Sequence, residues 1–345
     1  MGEIKDFQCT YDNSAGISGE VTRGLGLTFP DAYLHHETMA RLSKALKEHD
    51  GAAFCELPFC HTVEAEAMGG IVNYGNERTG PRAGEYICHS VEELLELPSI
   101  DFEKGRIHEV LLACRQLREE GEHVVMQVSG PFTILNVLID AKYVFKGWRK
   151  TPDIMEKAFA KLGREILRFM EEAKRYGAEL LSYADSSGGV NILGPKTAAQ
   201  IVETFTYDFL KEAQELADEH AMILLCPKTT LALLGTGRGK FEDRLLSRPM
   251  SYGEGCLEMI GKVRMAGQMC IKNIGYQLEN GVFKGLVVQK AFKMGYIGVK
   301  ETILMLRGKS YEKDVNSGCE LVTPDNMYDS EIEKLLFPFN TLKLS

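Results

Sequence analysis

Apolar and polar positions in this chain follow two alternating periods. Short, mostly apolar runs end on proline, glycine or a polar residue: Ala52-Ala-Phe-Cys-Glu-Leu-Pro58, His123-Val-Val-Met-Gln-Val-Ser129, Glu179-Leu-Leu-Ser-Tyr-Ala-Asp185 and Ala221-Met-Ile-Leu-Leu-Cys226. Their length and β-branched content predict buried strands. Between them the apolar positions recur at helical spacing, as in Met39, Leu42, Ala45 and Leu46, which predicts helices from Glu37, over His61–Met68, Ile107–Arg118, Phe132–Ala141, Pro152–Tyr176 and Thr197–Glu219. Thr151-Pro152 opens the longest of these, with proline in the first turn, where its missing N–H is harmless. Ser90-Val-Glu-Glu93 has the capping-box spacing and introduces a helical Leu94–Leu97. Further on, the pattern predicts a helix over Gly255–Met265, strands at Gln268–Ile271 and Phe283–Gln289, a helix over Val299–Arg307 and a last strand at Tyr311–Val315.

Strands alternating with helices of ten or more residues imply parallel βαβ crossovers. The number of such units predicts an α/β fold, a single (β/α)8 TIM barrel, with an N-terminal loop and helix extension. The glycine-rich start, with Gly16, Gly19, Gly24, Gly26 and Pro30, is expected to wrap over the barrel as loops and short strands. The expected division is residues 1–36 as this cap and 37–345 as the barrel.

Composition narrows the function classes. A chain of 345 residues with 44% apolar content can bury a full core. Its net charge of −9, with acidic and basic residues interspersed, offers no basic stripe for a phosphate backbone, so no nucleic-acid partner is expected. No run approaches the roughly 18 apolar residues of a membrane span. The start lacks the pattern of a signal peptide, so a cytoplasmic protein without a membrane partner is expected. Nine cysteines, an odd number, suit reduced thiols better than a disulfide framework. Gly188-Gly189 and Gly235-Thr-Gly-Arg-Gly239 lack the Lys-Ser/Thr of a phosphate loop and read as turns.

In a barrel, chemistry collects at the C-terminal ends of the strands. The residues predicted there are Cys60, His61, Gln127, Ser129, Asp185, Cys226, Cys270 and Cys319. Three of these thiols come from separate strand ends, as a zinc site of three protein ligands and one open position requires. A lone buried cysteine is more often packing than ligand, and Cys9, Cys55, Cys88, Cys114 and Cys256 are read in that way.

The segments Leu57-Pro-Phe-Cys-His-Thr-Val-Glu-Ala-Glu-Ala-Met-Gly-Gly70, Gly80-Pro81, Ser129-Gly-Pro-Phe-Thr133, Tyr183-Ala-Asp185 and Asn316-Ser-Gly-Cys319 resemble the uroporphyrinogen decarboxylase superfamily. Within it they are similar to the branch of corrinoid-dependent methyltransferases that includes methylcobamide:coenzyme M methyltransferases. The resemblance covers roughly residues 28 to 335 and itself implies a single (β/α)8 barrel. The superfamily's decarboxylases grip porphyrin carboxylates with an arginine-rich N-terminal segment. The corresponding stretch here, Pro30-Asp-Ala-Tyr-Leu-His-His36, has no arginine. The thiol methyltransferases bind zinc through a His-x-Cys and a distant Gly-Cys. Gly318-Cys319 matches the second, but the first has become Leu224-Leu-Cys226.

The resemblance therefore implies zinc held by Cys226, Cys319 and a third ligand, with Cys270 and Asp185 as candidates. It implies a corrinoid (cobalamin) carried by a separate partner protein, and a small-molecule methyl donor, a methoxylated aromatic in the leading reading. His61, Glu64, Gln127 and Tyr183 are the candidates for orienting or protonating the leaving oxygen, and Phe59 and Phe132 for lining an apolar slot. A homodimer is the assembly to test. The rival readings are methyl transfer from a methylcorrinoid protein to a thiol or tetrahydrofolate, a non-catalytic binding barrel, and a metal-independent decarboxylase.

Overall fold

The protein is described by a computed structural model over residues 17, 19–240, 244, 246–248, 250–267, 286–289, 291–310, 319–323, 325–326 and 329. Contacts divide the chain into two compact units, Met1–Gln268 and Met269–Ser345.

The first unit is built on five parallel strands: β1 (Cys55–Leu57), β4 (Val124–Ser129), β5 (Leu180–Ala184), β6 (Met222–Leu225) and β7 (Met265–Gly267), in the order β1-β4-β5-β6-β7. Helices cross between them: α2 (His36–Asp50) before β1, α5 (Gly105–Glu119) before β4, and α6 (Pro131–Leu138), α7 (Ala141–Lys150) and α8 (Pro152–Arg175) before β5. The short α3 (Val63–Ala67) and α4 (Glu93–Glu96) fill the long β1-to-β4 connection, as does a hairpin of β2 (Val72–Asn73) and β3 (Arg82–Ala83). α9 (Val190–Ile201) and α10 (Tyr207–Ala213) lead to β6, and α11 (Pro227–Gly235) and α12 (Tyr252–Met259) to β7.

Both faces of the sheet are apolar, as parallel strands covered on two sides require. One face, with Leu57, Val124, Met126, Val128, Leu181, Tyr183, Ile223 and Leu225, belongs to the main core. The opposite face, with Val125, Leu180, Met222 and Leu224, packs with Cys256 and Met259 of α12. α8 buries Met155, Ala158, Phe159, Leu162, Ile166, Phe169, Met170 and Ala173 at helical spacing. Proline is its first residue, as expected.

Several expectations are corrected. Between Gly19 and Leu34 the structure shows a short helix, α1 (Gly19–Thr22), and a 3-10 turn at Asp31–Tyr33 where loops and short strands were expected. Ser90 caps nothing: the N-cap of α4 is Glu92, and Glu93 accepts the His89 N–H at 2.8 Å. The capping box lies instead at Ser251 and Glu254, opening α12. The helix expected over Thr197–Glu219 starts earlier and is interrupted. It kinks at Gly194, whose φ of +73° is followed by Pro195, and contains a π turn at Val202–Thr206. α7 was not anticipated, and α12, expected over Gly255–Met265, runs instead over Tyr252–Met259. β7 is described over Met265–Gly267, and the strand expected at Gln268–Ile271 lies outside the described residues. Phe132 is not in a slot. It is buried in the core, 5.1 Å from the Phe159 ring and 6.4 Å from that of Trp148.

In the second unit β8 (Leu286–Gln289) is followed by α13 (Ala291–Leu306) and pairs with β9 (Cys319–Val322). The pair is antiparallel, with Gln289 opposite Cys319. Cys319 thus opens β9. The expected strand at Tyr311–Val315 lies outside the described residues.

Candidate functional site

The ends of β4, β5 and β6 converge on Asp185. Its Oδ1 accepts the Thr133 N–H at 2.8 Å and the Thr133 hydroxyl at 2.9 Å, while Oδ2 accepts the Phe132 N–H at 3.3 Å. These are the first free N–H groups of α6, whose own N-cap, Gly130, has no side chain to offer and whose first residue is proline. Gly130 is required by the close approach. A Cβ there would stand 2.3 Å from Asp185 Cβ and 2.9 Å from the Tyr183 hydroxyl. The motif Ser129-Gly-Pro-Phe-Thr133 is therefore a receptor for a carboxylate arriving from the neighbouring strand. Burial pushes the Asp185 carboxyl up to about 6, against the hydrogen bonds from Thr133 and Phe132 and the charge of Lys228.

Tyr183 is 1% exposed, with its ring 5.2 Å from that of Phe209. Burial, then the negative charges of Asp185 and Cys226, hold its hydroxyl well above the usual phenol range, so it stays protonated. Cys226 follows β6. Its N–H donates to the Tyr183 carbonyl at 3.0 Å, and its carbonyl accepts the Thr230 N–H at 3.0 Å as the N-cap of α11. Its half-buried Sγ lies 3.2 Å from the Thr229 hydroxyl.

The remaining candidates lie at the ends of β1 and β4. Glu64, on α3, is 1% exposed and accepts both the Ser129 N–H at 2.6 Å and the Ser129 hydroxyl at 3.0 Å. Burial raises its carboxyl, opposed by those bonds and by Arg106. Gln127 sits on the same sheet face as Ser182 and Leu224 and hydrogen-bonds the Glu56 carboxylate. His61 is different: its Nδ1 is buried and has no hydrogen-bond partner among the described residues. Burial lowers its pKa, so the ring is neutral.

The structure thus gathers Tyr183, Asp185 and Cys226, and joins Glu64 to Ser129. Cys270 lies outside the described residues, and of Cys319 the backbone alone is described. Among the described residues, the one grouping of three His, Cys, Asp or Glu donors within 4.8 Å is His36, Glu37 and Glu109 at the start of α2. There Glu109 accepts the His36 N–H at 2.8 Å. The donor types at the strand ends suit a zinc ion unequally. Cys226 offers a sulfur with one weak hydroxyl contact, whereas both Asp185 oxygens already serve α6.

Arg106 was not anticipated. It is 6% exposed and bonds Cys60, Thr62 and Glu66 around the β1-to-α3 loop. Its signal in the sequence is an arginine on the stripe that continues through Val110, Ala113 and Leu117 of α5, all buried. Cys55, Cys88, Cys114 and Cys256 are buried, as expected for packing thiols.

Among the described residues no helix is long and apolar enough to cross a membrane. Comparison with known proteins agrees with the fold. The chain is 24% identical over 254 residues to the methylcobamide:CoM methyltransferase MtaA of Methanosarcina barkeri, covering 72% of this chain and 74% of that one. It is 24% identical over 217 residues to the methylcobamide:CoM methyltransferase MtbA of Methanosarcina mazei, covering 60% and 62%. A solved methyltransferase from Methanosarcina mazei superposes with a TM-score of 0.56 at 19% identity, over 81% of this chain and 85% of that one. The fold is α/β, of the TIM-barrel class. The profile of the uroporphyrinogen decarboxylase (URO-D) family matches residues 17–236, well over half the chain, and the protein belongs to that family.

Proposed function

We propose that this protein is the substrate-side enzyme of a corrinoid-linked methyl transfer system. It takes a methyl group from a methoxylated aromatic and passes it to the Co(I) centre of a separate corrinoid protein. The similarity to methylcobamide:CoM methyltransferases supports methyl transfer with a corrinoid partner. The observation that carries the site is His61, just after β1: an imidazole whose pKa burial lowers and whose buried Nδ1 has no hydrogen-bond partner among the described residues. A buried polar atom left without a bond costs stability, and such an atom at a strand end is an acceptor or donor reserved for something that binds.

Cys226 and Cys319, with Cys270 as third ligand, would hold zinc. Asp185 is the harder alternative, and it would have to release α6. When bound, zinc supplies a Lewis acid for the oxygen left by a departing methyl group. The chain's own residues do the rest. His61 holds or moves the proton at that oxygen. Gln127, half-buried on the same sheet face as Ser182, orients the ring substituents. Glu64 ties α3 to the end of β4 through Ser129, and Tyr183 packs its ring against Phe209 beside Asp185. Leu224, fully buried where the thiol methyltransferases carry a zinc-binding histidine, fits a site turned away from thiol activation.

Incubation of zinc-loaded protein with Co(I) corrinoid and a series of methoxyphenols is expected to form methylcobalamin. No transfer from any ether, together with demethylation of methylcobalamin by a thiol, would reverse the direction. That second reading is favoured by the relatives' own activity toward coenzyme M.

A further inference from the structure

Both neighbours of His61 in its loop are bonded by the same side chain. Arg106 reaches across from α5 and donates from Nη1 to Cys60 Sγ at 3.1 Å and from Nη2 to Thr62 Oγ1 at 2.7 Å. Those two residues are the immediate neighbours of His61 on either side. Cys60 and Thr62 also contact each other, Sγ to Oγ1, at 3.3 Å. The third arm, Nε, donates to Glu66 Oε2 at 2.7 Å, and Nη2 completes an ion pair with the same carboxylate. Glu66 in turn accepts the Tyr74 hydroxyl at 2.7 Å, and the Arg106 guanidinium lies 5.5 Å from the centre of the Tyr74 ring. Cys60, Thr62 and Arg106 are 6%, 5% and 6% exposed, so water does not compete for these bonds.

We propose that Arg106 is the positioning residue of the site, fixing the imidazole of His61 by clamping the residues before and after it. A guanidinium suits this task because its planar fork serves several acceptors at fixed angles, whereas an ammonium is a point charge. With both flanks held, the backbone of His61 has little freedom, and its ring remains where the fold offers Nδ1 no partner. The proposal rests on His61 being a working group of the site. The part that concerns the ring's placement is readable without any activity.

The test is histidine-selective 15N NMR on the full chain, with the His61 signal assigned by its loss in His61→Gln. In the wild-type protein the ring is expected to stay neutral to a pH below the ordinary histidine midpoint of about 6.5. In Arg106→Lys, which keeps the charge but cannot serve three acceptors, the midpoint should move toward that ordinary value. The methyl-transfer kcat should fall about 10- to 100-fold with KM changed less than about twofold, as expected when a reacting group is misplaced. If Arg106→Lys does not fold, Thr62→Val removes one flank and leaves the arginine in place. A smaller shift of the same sign is then expected. A folded Arg106→Lys or Thr62→Val protein with an unmoved His61 titration would overturn the proposal, whatever the activity. Movement of the titration in a protein that transfers no methyl group would sustain the clamp and refute the function assigned to the site.

Discussion

The end of β5 and the end of β1 treat their polar groups in opposite ways. At β5, Asp185 has three donors, each belonging to the first turn of α6, and a glycine at position 130 leaves it room. At β1, the neighbours of His61 are tied to Arg106 while the ring between them has a buried nitrogen with no partner among the described residues. Saturated polar groups hold a fold together; a buried one left open is a place where the fold awaits something. The difference separates framework from function among residues that look equally polar in the sequence.

The largest expected effect breaks the β1 side from below. Arg106→Ala removes the partner of Glu66 and three bonds at once, and should lower stability by about 3–5 kcal/mol, the range for breaking a buried ion pair; urea unfolding measures it. Gly130→Ala comes next. Its Cβ would meet the Asp185 side chain, and displacing that carboxylate from α6 should cost about 1–3 kcal/mol, seen as a lower thermal midpoint.

Asp185→Ala leaves the α6 N–H groups without their acceptor and should cost about 1–2 kcal/mol, while Asp185→Asn keeps a carbonyl oxygen there and should cost less. pH sharpens this pair. The folded Asp185 carboxyl is raised to about 6 from an ordinary 3.8. Below pH 4 the group is protonated in both states. Between about pH 4 and 6 the unfolded chain ionises first, so the Asp185 contribution to stability falls as pH rises. Asp185→Asn should therefore gain on the wild type across that window, in unfolding midpoints compared at pH 4 and pH 7. The smallest stability effect is expected at the residue that matters most to function. His61→Gln gives up no hydrogen bond at Nδ1, and its unfolding free energy should stay within about 1 kcal/mol of wild type.

Much of this contrast was legible in the chain, and the rest was not for identifiable reasons. The central strands were readable because their apolar runs end on residues that stop strands. Val124–Ser129, Leu180–Ala184 and Met222–Leu225 fall within a residue or two of the expected bounds. The hairpin of β2 and β3 has two residues per strand, too few to show a period. The direction of β9 could not be read, because apolar alternation is the same in parallel and antiparallel strands. Asp185 was visible as a polar residue at a strand end, but its use as a helix cap depends on a contact with Thr133, 52 residues away. Arg106 could have been found as an arginine on the buried stripe of α5. What it holds depends on a loop 44 to 46 residues earlier.

The most direct measurement is the rate of methylcobalamin formation from Co(I) corrinoid and a methoxyphenol, for wild type and His61→Gln at equal concentrations of folded protein. Measurable formation by the wild type and a loss of about 100-fold or more in the variant, the scale of an acid–base group, is the predicted result. Equal rates in the two proteins would contradict it.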